Sequence, residues 1–292
     1  MNVRRFEDFR EFHAHAGPYL QRHEIAHILQ LGFLNTWMQT GAPSIPPYLG
    51  LVEHDQEPIG IAMRVNNFRA ILSEAVDVQA AVELFVQDMQ DAFAENPLSG
   101  ASGSPAETRA FVDLWQHATG CVGKLNRAER IYKLTEVIPV RHVSGKMRPA
   151  AEGDVPLLAD WFKAFDIEAD PTADANTPID VYVGWTRFRL ETDPALRGLR
   201  VWEDGGKVVS MAGYAGPTGH GIRVAPVYTP PELRGRGYAS AVTAALTQEL
   251  LDTGKAFVAL FTDLANPTSN SIYQKIGYKP QLDVDEYIFV NA

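Results

Sequence analysis

The segment running from Thr229 through Pro230, Pro231, Arg234, Gly235, Arg236 and Gly237 to Ser240 has a shape that could do chemistry. The strand-like run IRVAPVYT leads into it and the helix-like run SAVTAALTQELLDTG leaves it. A strand, a glycine turn and a helix start in this order make an anion site. The first amide N–H groups of a helix lack intrahelical partners, and the helix dipole adds partial positive charge there. Glycine lets the chain turn tightly and lets a phosphate approach without meeting a Cβ. On this reading Gly235, Arg236, Gly237, Tyr238, Ala239 and Ser240 present amides to a phosphate or pyrophosphate, with charge added by Arg234 and Arg236. A nucleoside triphosphate loop would need Lys-Ser or Lys-Thr after the glycines, and neither follows. A dinucleotide fingerprint would want a third glycine where Ser240 stands, and more parallel strands than the remaining 50 or so residues hold.

The hexapeptide Arg234–Ala239 fits the pattern (Q/R)-x-x-G-x-(G/A). After it come a helix, a strand, and then Asn266, Asn270, Tyr273, Gly277 and Tyr278, so that an Asn stands seven residues before a Tyr in a short helix ending on Gly-aromatic. In these residues and their spacing the chain resembles the GCN5-related N-acetyltransferase (GNAT) superfamily, over about residues 146–292. The resemblance implies that Val227, Tyr228 and Thr229 end a fourth strand whose backbone pairs with the pantetheine arm of acetyl-CoA. It implies that residues 235–240 hold the pyrophosphate and that Asn266 and Asn270 hydrogen-bond the same cosubstrate. Pro226, awkward in a paired central strand, is tolerated if the fourth and fifth strands splay as the family's do. An amine, deprotonated by a base or a water chain, then attacks the thioester carbonyl. A backbone N–H of the fourth strand stabilises the oxyanion. Tyr273 sits where the family places the acid that protonates the leaving thiolate. Some relatives carry a glutamate five residues before the Asn, where this chain has Phe261, so Asp263, Glu203, Glu168 and His220 stand as candidate bases.

The elements that must position these residues come in two runs. The first reads as an amphipathic helix over 20–38, a hairpin over 48–65, a helix over 77–94, a loop over 96–105, a helix over 105–119 and a strand over 130–138. After a connector at 139–147, the second opens on a helix over 155–165, with Asp154 as its N-cap and Pro156 in its first turn. A hairpin over 199–215 turning at Asp204-Gly205-Gly206 follows, then the strand, glycine turn and helix closed by Gly254. The strand FVALFTD, a short helix ending at Gly277 and the strand DEYIFV complete it. The expected fold class is α/β (α+β): two GNAT-like domains, each a mixed, mostly antiparallel twisted sheet flanked by helices. Residues 1–143 are the degenerate copy, with no glycine pair where the phosphate loop would be, and residues 146–292 are the catalytic domain.

Composition bounds the function. The chain of 292 residues carries a formal charge of −10, and residues 1–145 hold 12 Lys and Arg against 17 Asp and Glu, half of that excess. Acidity in both halves argues against nucleic acid, because neutralising phosphates needs the opposite sign. No apolar run is long enough to span a membrane, and an N-terminus with early acids argues against a secretory leader, so a cytoplasmic protein is expected. One cysteine, Cys121, excludes an internal disulfide. His23, Glu24 and His27 form an HExxH pattern, which on a helix could hold zinc with the glutamate as base. Phe33 stands where the extended pattern needs a third histidine, and His27 falls on the apolar stripe, as a core histidine would. The expected function is acetyl transfer from acetyl-CoA, without a metal, to a primary amine of a small-molecule acceptor. The alternatives are an acyl-CoA-binding sensor without turnover and a zinc hydrolase through His23, Glu24 and His27.

Overall fold

The structure is a computed structural model describing residues 1–66 and 69–291. The first run of elements is β1 (Asn2–Arg5), α1 (Phe9–Arg22), α2 (Ile28–Thr40), β2 (Tyr48–His54), β3 (Glu57–Arg64), β4 (Ala70–Leu72), α3 (Val78–Ala92), β5 (Gly100–Gly103), α4 (Pro105–Thr119) and β6 (Val122–Leu134). The second is β7 (Lys146–Pro149), α5 (Val155–Ala169), α6 (Ile179–Glu191), β8 (Arg197–Asp204), β9 (Lys207–Ala215), β10 (Gly221–Tyr228), α7 (Tyr238–Asp252), β11 (Phe257–Asp263), α8 (Pro267–Lys275) and β12 (Lys279–Val290). Both follow one order: strand, two helices, three strands, helix, strand, helix, strand. Among the described residues no helix is long and apolar enough to cross a membrane.

Two compact units form, and they do not follow the chain in a single cut. The first takes Met1–Ile131, Asp263–Ala265 and Gln281–Ala292; the second takes Tyr132–Thr262 and Asn266–Pro280. The expected division at 143–146 follows chain order, whereas the last strand belongs by its contacts to the first unit. There it pairs antiparallel with β5, from Asp285↔Gly103 to Ile288↔Gly100. A Cβ on Gly100 would lie 1.9 Å from the Tyr287 carbonyl oxygen, so this pairing requires glycine. Arg127 grips Glu286 with two bonds of 3.1 and 2.9 Å, Asn126 donates to the same carboxylate at 2.7 Å, and Arg69 lies 3.3 Å from it. In this unit the sheet packs on both faces, because side chains alternate along each strand. Leu49 and Leu51 face α1 and α2, while Val52 faces α3 and α4.

In the second unit β7, β8, β9 and β10 pair antiparallel in that order, and β10 pairs with β11 in parallel. Leu199, Val201 and Met211 pack under α5 and α6, and Ala212, Ile222 and Val224 pack under α7.

Several expectations are corrected. The helix over 20–38 is two helices, because His23–His27 form a turn. His27 is buried with both ring nitrogens engaged: Nδ1 donates to the Leu20 carbonyl at 2.9 Å and Nε2 accepts from the Glu74 amide at 3.2 Å. Burial pushes its pKa down, so it is a neutral structural histidine. The loop over 96–105 contains strand β5, whose Gly100 serves close approach to β12 and Gly103 close approach to Leu72 of β4, rather than a turn. Asp154 makes no side-chain cap to α5; its carboxylate accepts from the Ala151 amide at 2.8 Å and from Arg148 at 2.7 and 2.9 Å. Helix α6 was not expected at all.

Glu286 is mostly buried against two mostly buried arginines, at 9% side-chain exposure beside 14% for Arg69 and 19% for Arg127. Glu286→Ala leaves both guanidinium groups without that partner, and should destabilise the first unit by about 3–5 kcal/mol. Urea denaturation followed by circular dichroism measures this, and a loss under about 1 kcal/mol would mean that the cluster is solvated.

Candidate active site

β10 ends at Tyr228, a short helical turn covers Pro231–Leu233, and α7 begins at Tyr238. Gly235 and Gly237 lie between them with φ of 76° and 84°, the left-handed region that glycine alone enters freely. A Cβ on Gly235 would meet open space, whereas one on Gly237 would lie 2.9 Å from Val143. The Ala241 amide makes the helical bond back to the Gly237 carbonyl. The amides of Tyr238, Ala239 and Ser240 come before it, in the helix's first turn, where a helix supplies no acceptor. This turn is pinned from below. The buried Tyr238 hydroxyl donates to Asp204 at 2.6 Å, and Ser144 donates to the same oxygen at 2.7 Å. These two donors, with Arg236 nearby, hold the Asp204 carboxyl below its usual range.

Arg234 turns away from the loop. Its Nε donates to the Thr229 carbonyl at 2.9 Å and its Nη2 to Glu168 at 2.6 Å, so it braces the entry to the loop. The charge left at the glycine turn is that of the exposed Arg236. Glu168 also accepts from the Tyr228 hydroxyl at 3.2 Å, and Tyr228 packs on Trp161 at 6.1 Å between ring centroids. Burial, then the neighbouring Glu168, pushes the Tyr228 phenol upward.

The two parallel strands pair from Gly221↔Phe257 to Arg223↔Ala259. Beyond that point β10 carries an irregularity between Val224 and Val227 and continues to pair with β9, through Val227↔Ala212 and Tyr228↔Met211. Val227 then packs toward α7 while Tyr228 packs toward α5. Thr229 is held by Ser210, whose hydroxyl lies 2.8 Å from it and donates to the Tyr228 carbonyl at 3.0 Å.

Asn266 caps α8, its side-chain oxygen accepting from the Ser269 amide at 3.0 Å. The Asn270 side chain donates to the Asn266 carbonyl at 2.7 Å and accepts from the Tyr132 hydroxyl at 2.9 Å. Gln274 donates to that hydroxyl at 3.0 Å, so Tyr132 and Gln274, which the sequence motif does not include, fix the helix bearing Tyr273. Tyr273 is half-buried edge-on to Tyr278 at 6.0 Å, and burial pushes its phenol up to about 12.

The candidate bases separate. Glu203 is paired with Arg148 at 2.7 Å, and Asp263 accepts the Ala265 amide at 2.8 Å. His220 precedes the first residue of β10, roughly 25 Å of extended strand away from Tyr228. Glu168 stands beside Tyr228 at the C-terminal end of β10 and is ion-paired with Arg234 at 2.6 Å.

Residues 157–278 match the model of the acetyltransferase (GNAT) family. The C-terminal half carries a GNAT domain. The family is one of acetyltransferases, and the match supports acyl transfer as the class of chemistry. Solved structures agree in fold. A Drosophila protein superposes with a TM-score of 0.66 at 13% identity, over 99% of this chain and 98% of its own. A tandem GNAT protein from the clavulanic acid biosynthesis pathway gives 0.60 at 10%, over 99% and 98%. A GNAT-family acetyltransferase from Colwellia psychrerythraea gives 0.58 at 14%, over 99% and 100%. No curated protein matches the sequence. The paired order of elements and these likenesses over nearly the whole chain give the first unit the same mixed, mostly antiparallel fold as the GNAT domain.

A carboxylate whose pKa is lowered on folding stabilises above its unfolded pKa, about 3.9, and that stabilisation fades as pH falls through the lower folded value. Asp204→Asn should therefore melt below the wild type by a constant margin from pH 8 to about 5, and the margin should shrink in more acidic buffer. Scanning calorimetry across that range checks it; a margin independent of pH would show that the Tyr238 bond does not depend on charge.

Proposed function

We propose that the GNAT domain transfers the acetyl group of acetyl-CoA to the primary amine of a small-molecule acceptor. The observation that carries this reading is the turn at Gly235–Gly237. Two left-handed glycines turn the chain into the first turn of α7, and a Cβ on Gly235 would meet nothing within 4 Å. Acetyl-CoA, when bound, supplies the acetyl group as an activated thioester. The amides of residues 235–240 bind the pyrophosphate, with Arg236 adding charge. The backbone of Val227, Tyr228 and Thr229 aligns the pantetheine arm beyond the point where β10 and β11 cease to pair, and the Asn266 amide reaches it from the far side. A β10 amide offers the oxyanion a donor.

As the carbon–nitrogen bond forms and the carbon–sulfur bond breaks, Tyr273 gives its proton to the leaving sulfur. A phenol held near 12 is still protonated at neutral pH and is available as that donor. Phe261 stands where some relatives carry a glutamate, and the amine loses its proton to solvent, which returns one to Tyr273.

Coenzyme A should bind in a calorimetric titration, and Gly237→Trp should weaken it by about 100-fold or more, a loss of about 2.8 kcal/mol. Tyr273→Phe should lower kcat by about 100-fold with coenzyme A affinity unchanged. Absence of coenzyme A binding ends the proposal. Binding without thiol release across an amine panel makes the domain an acyl-CoA sensor instead.

A further inference from the structure

Three arginines converge on one face of the second unit's sheet. Arg197 on β8 and Arg223 on β10 are both register partners of Ala215 on β9. They therefore flank one alanine methyl in a single row, with Cα atoms about 10 Å apart. The face is settled by alternation: Arg197 shares it with Leu199 and Val201, which pack under α5 and α6, while Ile222 and Val224 on either side of Arg223 pack under α7. Arg189 comes down from α6, and burial, with the positive charges of Arg223 and Arg197, pushes its pKa down. Arg189 Nη1 and Arg197 Nε are buried without a hydrogen-bond partner. Aromatic rings accompany the guanidinium groups, Phe162 at 5.5 Å from Arg189 and Phe188 at 4.3 Å from Arg197. Rings hold a cation in place without neutralising it.

Buried donors and buried positive charge both call for an acceptor that carries negative charge. The row lies where β10 and β11 last pair, at Arg223↔Ala259, one residue before the irregularity in the β9–β10 ladder. Under the acetyl-transfer reading, on which this inference rests, the reacting amine sits beyond that last pair. An anionic group a few bonds from the amine then falls on the arginine row. The pyrophosphate turn is at the other end of β10, at least five residues from Arg223, too far for the same row to serve the cosubstrate's phosphates.

We propose that Arg189 and Arg197, beside Arg223, bind the carboxylate of the acceptor, making the acceptor a small amine of the amino-acid class.

The test compares carboxylates with amides. The full chain, with coenzyme A present, is titrated calorimetrically with each free L-amino acid and with its carboxamide. At least one amino acid should bind, with its amide at least about 30-fold weaker. Arg189→Gln and Arg197→Gln should each erase that difference, leave coenzyme A affinity unchanged, and melt no lower than the wild type, because each removes an uncompensated buried charge. A merely structural arginine would lower the melting temperature instead. Absence of amino-acid binding, or equal binding of acid and amide, overturns the proposal with no variant needed. Thiol release with the bound amino acid separates the two readings. Carboxylate-selective binding without release refutes the acyltransferase and leaves the arginine site standing; release to amines without regard to a carboxylate does the reverse.

Discussion

The Tyr238 hydroxyl donates to Asp204 across 2.6 Å, and that bond decides where α7 begins. Tyr238 is the helix's first residue, and Asp204 lies at the β8–β9 turn. With its side chain drawn into the protein, the backbone before Tyr238 must double back, and Gly235 and Gly237 do so at positive φ. The helix start is thereby fixed to the sheet, and its amides are held as a set. A helix terminus that frayed would present the same amides to water in many directions, and a ligand would have to order them on arrival. Ser144 on the same carboxylate oxygen ties the segment before β7 into this arrangement.

The site relies more on dipoles than on ion pairs. Arg234 is committed to Glu168 and Thr229, so its charge is matched within the protein. What it supplies is rigidity at the start of the loop, and through Glu168 a link to the Tyr228 hydroxyl and the end of α5. Preorganised amides require no desolvation of a long side chain when an anion arrives, which on the proposed reading suits a group that must bind and leave on each turnover.

Much of this was readable in the residues. The glycine turn, the Asn266–Tyr273 spacing and the Gly277 stop are local features, and local chemistry decides them. The hairpins at 48–65 and 199–215 followed from alternation around turn residues, and both formed. Helix α6 escaped because Ile179, Val181, Val183 and Trp185 alternate as a strand would, leaving much of its apolar surface exposed. The turn at His23–His27 escaped because the apolar stripe continues across it, and only the buried hydrogen bonds of His27 show why the helix stops. Strand β5 depends on a partner far away in sequence, Tyr287, and the arginine row depends on the registers of three neighbouring strands, which no single strand's pattern carries.

The pairing of β12 with β5 carries a consequence for synthesis. Residues Asp285–Ile288 leave the ribosome long after Gly100–Gly103, yet they cover the edge that those residues lay down. Until they arrive, that edge offers unpaired amides and carbonyls to any extended segment nearby. The nascent first unit must wait, incomplete, through translation of the whole GNAT domain, and a truncated product would keep its adhesive edge permanently.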